Sequence, residues 1–165
     1  MPVSVRSRLR RTSLLLPAIS HLIQRMLSAL GESRAVLSVE FIGDHRMRRL
    51  NAQYRGRNMT TDVLAFAMRE APGPSSALLG DVVISVPQAV RQAVEQEHSI
   101  QQELATLLIH GILHLLGYDH ERSEIEARRM RRKEHALLHA MLPIPTLIKP
   151  CADTSPRQRA TIMKR

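Results

Sequence analysis

The sequence predicts an α+β domain in which a single small mixed sheet of three to four strands is covered by about five helices. Short β-branched runs alternate with longer amphipathic stretches, and capping residues stand at the expected ends of those stretches. The chain has 165 residues, of which 44% are apolar, so one domain with a proper core is expected. Aromatic residues are scarce, and the core must therefore be built from aliphatic side chains and methionine.

Four segments have the composition of β-strands. The segment AVLSVEFI is rich in β-branched residues and partly alternating, and two further apolar runs follow it. The link between those two runs, REAPGPSSA, is rich in proline, glycine and serine, which predicts an open loop joining neighbouring strands. Asp81, beside Gly80 near the start of the last run, is expected only to close a turn. The predicted strands are an edge strand at Val3–Leu9 and strands at 35–42, 60–68 and 78–86.

Five segments have helical periodicity. Two of them begin with a capping box, formed by Ser99 with Gln102 and by Ser123 with Glu126. The stretch after Ser99 is apolar nearly all round in its second half and ends at Gly117, so we expect it to be the buried central helix. The predicted helices cover residues 14–30, 44–54, 87–97, 99–117 and 123–141.

The net charge of +9 lies mainly at the two ends of the chain. Residues 1–12 hold four arginines, and residues 143–165 hold five basic residues against Asp153, so the two ends carry +8. Residues 1–142 are predicted to form the single domain. Residues 143–165 combine prolines with scattered charge and are expected to be a basic tail without a fold of its own. Ends of this kind favour an anionic partner such as nucleic acid.

The cysteine content favours a reducing, cytoplasmic location, because the single Cys151 excludes an internal disulfide and a cysteine zinc cluster. The apolar patch after the first arginines is short and is interrupted by Pro17 and His21, so we do not expect an export signal. No run of the sequence approaches the length of a membrane span. The scarcity of aromatic residues argues against RNA binding over a row of stacking platforms.

The segment HGILHLLGYDH, residues 110–120, carries three histidines at a spacing typical of a metal site. His110 and His114 are four apart on the predicted central helix, so they share one face with Cβ atoms about 6 Å apart. Gly117 then turns the chain, which lets His120 return to supply a third nitrogen. Buried histidines without a metal would each need a partner of their own. One zinc ion per chain is predicted, with a fourth position open for water.

Gly111 stands where many zinc hydrolases of this spacing have the glutamate that activates water. The spacing otherwise matches the metzincin proteases, but a protease would need another carboxylate near the metal, so proteolysis becomes a minor alternative. A glycine inside a helix costs about 1 kcal/mol of helix stability relative to alanine. Two interpretations are open: close approach of substrate or backbone to the metal, and tight packing of the helix on a strand.

A basic segment, HRMRRLNAQYRGRN, lies between Asp44 and Asp62 and holds five arginines without an acidic residue. On charge alone, this pattern is as typical of a solvent-exposed helix face as of a site that binds phosphate groups. The charge pattern therefore does not decide between a structural and a functional role for these arginines.

Together with LNAQYRGRNMTTDVLAF at 50–66 and LGDVVIS at 79–85, the histidine segment resembles the YbeY family of bacterial metal-dependent endoribonucleases. The resemblance spans about residues 35–140. It implies a zinc-dependent, single-strand-specific endoribonuclease acting in 16S ribosomal RNA 3′-end maturation and ribosome quality control. The implied partners are ribosomal RNA, the small ribosomal subunit and ribosome-associated proteins, with no membrane. The chain departs from the family pattern at Met59-Thr60, where a charged residue and a proline are common, and in its longer basic ends.

The resemblance places the family's functional arginine at Arg55, in the YRG element, and makes it a catalytic residue together with the metal ligand His114. An arginine can hold a phosphate through two parallel hydrogen bonds and stabilise charge in the transition state. Asp119 is expected either to orient a ligand histidine or to cap the following turn. The nucleophile, a water or a ribose 2′-hydroxyl, and the general base stay open. A third hypothesis is a non-catalytic ribosome-assembly factor with a structural metal.

Overall fold

The computed structural model describes residues 3–69 and 77–149 of the chain. The elements are β1 (Val3–Ser7), α1 (Leu16–Ala29), β2 (Val36–Ile42), α2 (Asp44–Arg55), β3 (Val63–Ala67), β4 (Leu78–Ser85), α3 (Val86–Glu95), α4 (Ile100–Leu115) and α5 (Glu124–Met141). The four strands form one sheet in the order β1-β2-β4-β3. The β1–β2 and β2–β4 pairs are parallel, and β3 is antiparallel to β4. The predicted α+β class with one small mixed sheet is therefore confirmed.

Serine side chains begin the last three helices. Ser99 Oγ and Ser123 Oγ each accept a hydrogen bond at 3.1 Å from the backbone amide three residues further along. Each bond satisfies a donor that has no partner inside the helix, so both predicted N-caps are confirmed. Ser85, which no sequence signal singled out, caps α3 in the same way at 3.4 Å.

The central helix of the domain is α4, as the sequence predicts. Leu104, Leu108 and Ile112 are fully buried along it, and the helix packs between the sheet and the neighbouring α3 and α5. On the opposite face of the sheet, α2 contributes Met47 to a small second cluster with side chains of β2, β3 and β4. Within the described part of the chain, no helix has both the length and the apolar character needed to cross a membrane.

The first residues of the predicted tail, 143–149, pack against the domain. Leu147 is fully buried, its carbonyl accepts a hydrogen bond from the Leu15 amide at 2.8 Å, and its own amide donates to Gln101 Oε1 at 2.5 Å. The prediction of a segment without a fold therefore does not apply to 143–149, because Leu147, the partly buried Ile144 and Ile148, and backbone hydrogen bonds attach it to the domain. The rest of the predicted tail, residues 150–165, lies outside the described residues.

Asp81 lies inside β4, where it pairs with Ser38 of β2 and with Phe66 of β3. The expectation of a turn at this position is therefore wrong. Gly80 has a φ of 146°, and a Cβ atom there would lie 2.2 Å from the Phe66 carbonyl oxygen. The glycine marks a close approach of two strand backbones, next to a shift in the register between β2 and β4.

Candidate active site

Three histidine side chains meet at the end of α4. His110 and His114 lie on the helix, and His120 returns from the segment that follows it. One ring nitrogen of each histidine lies within 4.8 Å of the other two, and the Nε2 atoms of His110 and His114 are 3.1 Å apart. The chain turns at Gly117, whose φ of 99° is one that glycine adopts readily and other residues rarely do. One metal ion can bridge nitrogens placed in this way.

The direction in which the pKa of His114 is shifted suits metal binding. Burial lowers the pKa of His114, and His110 and His120 lower it further, because a charge on one ring opposes a charge on the next. The carboxylates of Asp119 and Glu134 act in the opposite direction, with smaller effect. Neutral imidazole is the form that binds a transition metal. The residues present therefore fit a metal ion, and a set of three imidazoles is one that zinc accepts.

Glu134 of α5 sets the orientation of His110. Its Oε1 atom accepts a hydrogen bond from His110 Nδ1 at 2.5 Å, which leaves Nε2 of that ring beside the His114 ring. A carboxylate in this position fixes the tautomer of a metal-binding histidine. No sequence signal pointed to Glu134, because it lies 24 residues beyond His110 in a helix rich in charged residues. Asp119 instead accepts a hydrogen bond from the Glu121 amide at 2.9 Å and caps the turn.

Gly111 is required by the packing of α4 on the sheet. A Cβ atom at this position would lie 2.8 Å from Val82 Cγ1 and 3.4 Å from Val63 Cγ2. Of the two interpretations of this glycine, tight packing on a strand is therefore confirmed. A glutamate at position 111 would have to displace the side chain of Val82, so the helix cannot carry the usual protease base without repacking against the sheet.

The histidines line a cleft of about 600 Å³. Residues of β3 form part of its lining, and the end of α2 contributes Tyr54 and Arg55. Arg55 is exposed, and the helix ends directly after it at Gly56, whose φ is 69°. Two carboxylates in the described part of the chain, Asp62 and Glu121, also line the cleft. The structure thus places Arg55 and the three predicted metal ligands around one volume.

The position of α2 is set by an ion pair at its other end. Asp44 Oδ2 lies 2.8 Å from Arg91 Nη1 of α3, and Asp44 Oδ1 accepts hydrogen bonds from the hydroxyls of Ser85 at 3.0 Å and Thr60 at 3.1 Å. The hydrogen bond from Arg91 is the main cause that lowers the pKa of Asp44, although burial acts in the opposite direction. Because this network attaches α2 to α3 and to the end of β4, it also helps to place Arg55 at the cleft.

The chain is similar to a known family over most of its length. A family model described as Endoribonuclease YbeY matches residues 7–142. The protein named Endoribonuclease YbeY from Anaeromyxobacter sp. (strain Fw109-5) is 51% identical over 114 residues, which cover 69% of this chain and 58% of that protein. The protein of the same name from Geobacter metallireducens is 44% identical over 140 residues, covering 83% of this chain and 93% of that protein.

The fold has a counterpart among solved structures. A solution structure of a protein from Thermotoga maritima superposes with a TM-score of 0.59 at 23% sequence identity, and the match covers 84% of this chain and 88% of the other. At this level of identity, the likeness concerns the architecture alone. Membership of the family rests on the family model and the relatives, because the matched residues include the whole histidine segment, 110–120, and the YRG element with Arg55. The chain therefore belongs to the Endoribonuclease YbeY family.

Proposed function

We propose that this protein is a zinc-dependent, single-strand-specific endoribonuclease that acts in 16S ribosomal RNA 3′-end maturation and ribosome quality control. The observation that carries the proposal is the shared cleft, where three histidine rings with nitrogens within 4.8 Å stand beside Arg55. Membership of a family whose relatives are named endoribonucleases supports RNA as the substrate. The family resemblance supports the ribosomal substrate and the preference for an unpaired strand.

The proposed partners are ribosomal RNA, the small ribosomal subunit and ribosome-associated proteins, and the proposed location is the cytoplasm. The basic ends of the chain support an RNA partner, since they carry +8 of the net charge of +9. Lysine and arginine segments gain affinity for RNA by releasing the counterions condensed on its phosphates.

In the proposed site, His110, His114 and His120 hold one zinc ion per chain. A bound zinc ion supplies a Lewis acid for the phosphoryl oxygens and lowers the pKa of a water in the site. Arg55 holds the scissile phosphodiester through two parallel hydrogen bonds and stabilises the negative charge that develops on its oxygens. Glu134 keeps the proton of His110 on Nδ1, so that Nε2 is free for the metal. His114 contributes to catalysis as a ligand.

Two other functions have less support. A metalloprotease would have to activate water with Asp62 or Glu121, the two carboxylates that line the cleft, because the packing around Gly111 leaves no room for one at the usual position, and the named relatives are endoribonucleases. A non-catalytic assembly factor with a structural metal would be expected to surround the ion with four protein ligands. In the described residues, the cluster has three ligands and opens into a cleft of about 600 Å³. A hydrolytic site fits this arrangement better than a structural one.

The test combines metal analysis with RNA cleavage on the same preparations of wild type, His114→Ala and His139→Ala. His139 is an exposed histidine of α5 and serves as the matched control. We expect one zinc per chain and cleavage of single-stranded but not duplex RNA by the wild type and the control, with both lost in His114→Ala. Equal cleavage by His114→Ala at full zinc content would contradict the ligand set.

The chemical form of the product identifies the nucleophile. Attack by the ribose 2′-hydroxyl leaves a 2′,3′-cyclic phosphate on the upstream fragment, whereas attack by water leaves a linear phosphate without that intermediate. Mass spectrometry of the fragments from a short single-stranded substrate separates the two products, and either result is compatible with the role of Arg55.

A further inference from the structure

A second cavity, of about 390 Å³, lies on the face of the sheet that carries α2. All four strands and α2 contribute residues to it, and we call it the sheet-face cavity. It is distinct from the histidine cleft, but Tyr54 and Phe66 line both volumes. An extended strand of RNA that leaves the cleft over this shared wall would enter the sheet-face cavity next. Its volume is within the range of small-molecule sites and admits one nucleotide.

The floor of the sheet-face cavity is polar. Ser38, Asp81 and Phe66 are paired across β2, β4 and β3, so their side chains project from the same face in one row. Asp81 is partly buried, and none of the hydrogen bonds and ion pairs formed among the described residues uses its carboxylate. A partly buried carboxylate without a donor gains free energy from a ligand that supplies one. Glu40, the other acid in the lining, is already bound by Arg8.

The wall between the two volumes is aromatic. The rings of Tyr54 and Phe66 meet edge to face, with centroids 5.0 Å apart and an angle of 66° between their planes. The side chain of Tyr54 is exposed, and Phe66 is partly buried beneath it. These are two of only four aromatic residues in the sequence. The chain has no row of platforms for many bases, but this pair offers one stacking surface for one base.

The rim of the sheet-face cavity is basic. Arg46 of α2 and Arg6 of β1 both line the cavity, and neither is paired with a carboxylate in the described part of the chain. Guanidinium groups at a rim can bind the phosphates on either side of a base that enters the cavity. The cavity thus combines a carboxylate floor, an aromatic wall and a cationic rim, which are the three elements that hold an unpaired nucleotide.

We propose that the sheet-face cavity is a subsite that recognises one unpaired guanine of the RNA substrate. The inference rests on the proposed function, because it assigns a specificity element beside the same RNA cleft. Guanine presents two adjacent donors, N1–H and N2–H, which match the two oxygens of the Asp81 carboxylate; the other three bases present no such pair. The base stacks on the exposed ring of Tyr54, which Phe66 supports edge to face, and the rim arginines bind the neighbouring phosphates.

The test measures kcat/KM of the zinc-loaded, full-length protein on single-stranded oligonucleotides that contain one guanine, moved stepwise relative to the cleaved bond. Each substrate is compared with the same sequence carrying adenine at that position. We expect a guanine preference of about 5- to 100-fold at one fixed position, the range of a bidentate base contact. Asp81→Asn should reduce this ratio to near one, because an amide has a single acceptor oxygen. Glu40→Gln, which alters an acid of the same cavity that is bound to Arg8, should keep the ratio.

Each outcome bears on one level of the inference. A wild type that cleaves RNA with a ratio near one at every position overturns the guanine subsite and leaves the proposed function standing. A wild type that binds zinc but cleaves no oligonucleotide overturns the proposed function itself. An unchanged ratio in folded Asp81→Asn overturns the assignment to that carboxylate. If Asp81→Asn fails to fold, a wild-type measurement with inosine in place of guanine decides. Inosine keeps N1–H but lacks the N2 amino group, so most of the preference over adenine should be lost, and an unchanged preference would overturn the two-donor contact.

Discussion

His110 Nδ1 lies 2.5 Å from Glu134 Oε1, so the metal site depends on a contact between α4 and α5. Replacing Glu134 by alanine removes the group that fixes the tautomer and the orientation of the ring. We expect Glu134→Ala to lower zinc affinity by about 10- to 100-fold, the usual cost of losing such a partner. Competition with a chromophoric chelator measures this affinity. Glu124→Ala removes an exposed carboxylate of the same helix and serves as the control; equal zinc affinity in both variants would contradict the role of Glu134.

Substitution of Arg55 should affect RNA cleavage but not metal binding. Because no ligand is altered, Arg55→Ala should retain full zinc, yet slow single-turnover cleavage by about 10²- to 10³-fold, the loss typical of one donor that stabilises transition-state charge. Arg55→Lys should lie between wild type and alanine, since an ammonium supplies charge without the two-pronged geometry. Arg57→Ala is the matched control, as a neighbouring exposed arginine outside the cleft lining. Full activity of Arg55→Ala at full zinc would refute the catalytic assignment.

In Gly111→Ala, helix propensity and core packing have opposite effects on the free energy of unfolding. Propensity alone predicts that Gly111→Ala stabilises the protein by about 1 kcal/mol. The 2.8 Å approach to Val82 Cγ1 leads us to expect the opposite, a loss of about 1–3 kcal/mol from overpacking. Urea unfolding measures the free energy. In a Val82→Ala background, Gly111→Ala should cost less than it does in the wild type, because the clashing methyl groups are gone, although Val82→Ala is destabilising by itself. A Gly111→Ala protein more stable than wild type would show that the sheet yields at no cost.

The ion pair at the start of α2 predicts a pH dependence of stability. The pKa of Asp44 is lowered in the folded protein, chiefly by the hydrogen bond from Arg91. A lowered pKa of a carboxyl group stabilises the fold above its unfolded value, about 3.9, and this contribution is lost as the pH falls through the folded value. Wild type should therefore exceed Asp44→Asn in free energy of unfolding at neutral pH, and the difference should shrink below about pH 4. Urea unfolding between pH 3 and pH 7 measures it. A difference that stays constant with pH would rule out the ionised pair as its source.

The basic residues beyond the described domain predict a salt effect. Residues 150–165 hold four basic residues against one acidic residue. Removing them should weaken binding of single-stranded RNA and flatten its dependence on salt, because fewer counterions are released. The truncation must keep Leu147, because losing this buried side chain should cost about 2–5 kcal/mol of stability on its own. Affinity measured at several salt concentrations decides the matter; an unchanged slope would assign these residues another role.

Local patterns made most of the fold predictable. Ser99 and Ser123 predict the starts of their helices, because an N-cap side chain binds a backbone amide only three residues away. The histidine cluster was predictable for the same reason, since one helical turn and one glycine bring its members together. The observed strands and helices begin and end within a few residues of the predicted bounds for the same local reasons.

The remaining features depend on contacts between distant parts of the chain. Glu134 reaches His110 only because α5 packs beside α4, and nothing in the local sequence of α5 distinguishes this glutamate from its neighbours. Asp44 and Arg91 are 47 residues apart, and their pairing follows from how α2 and α3 meet. The prolines and charged residues around Leu147 are typical of a tail, and nothing in the local sequence indicates that this leucine is buried. These contacts could be found only once the sheet order was known.

The three histidines of the cluster all come from a segment of eleven residues, whereas Arg55 reaches the cleft only through α2 and the sheet. The three histidines are therefore brought together locally, with Glu134 as a distant contact that orients one of them, whereas the cleft is assembled from distant parts of the chain. A chain whose sheet has come apart can retain an ion on a surviving end of α4, because metals also bind unfolded histidine segments. A full zinc content, where it is measured, would therefore not show that the protein is folded. An inactive variant with full zinc should first be checked by near-ultraviolet circular dichroism, before its defect is assigned to the chemistry.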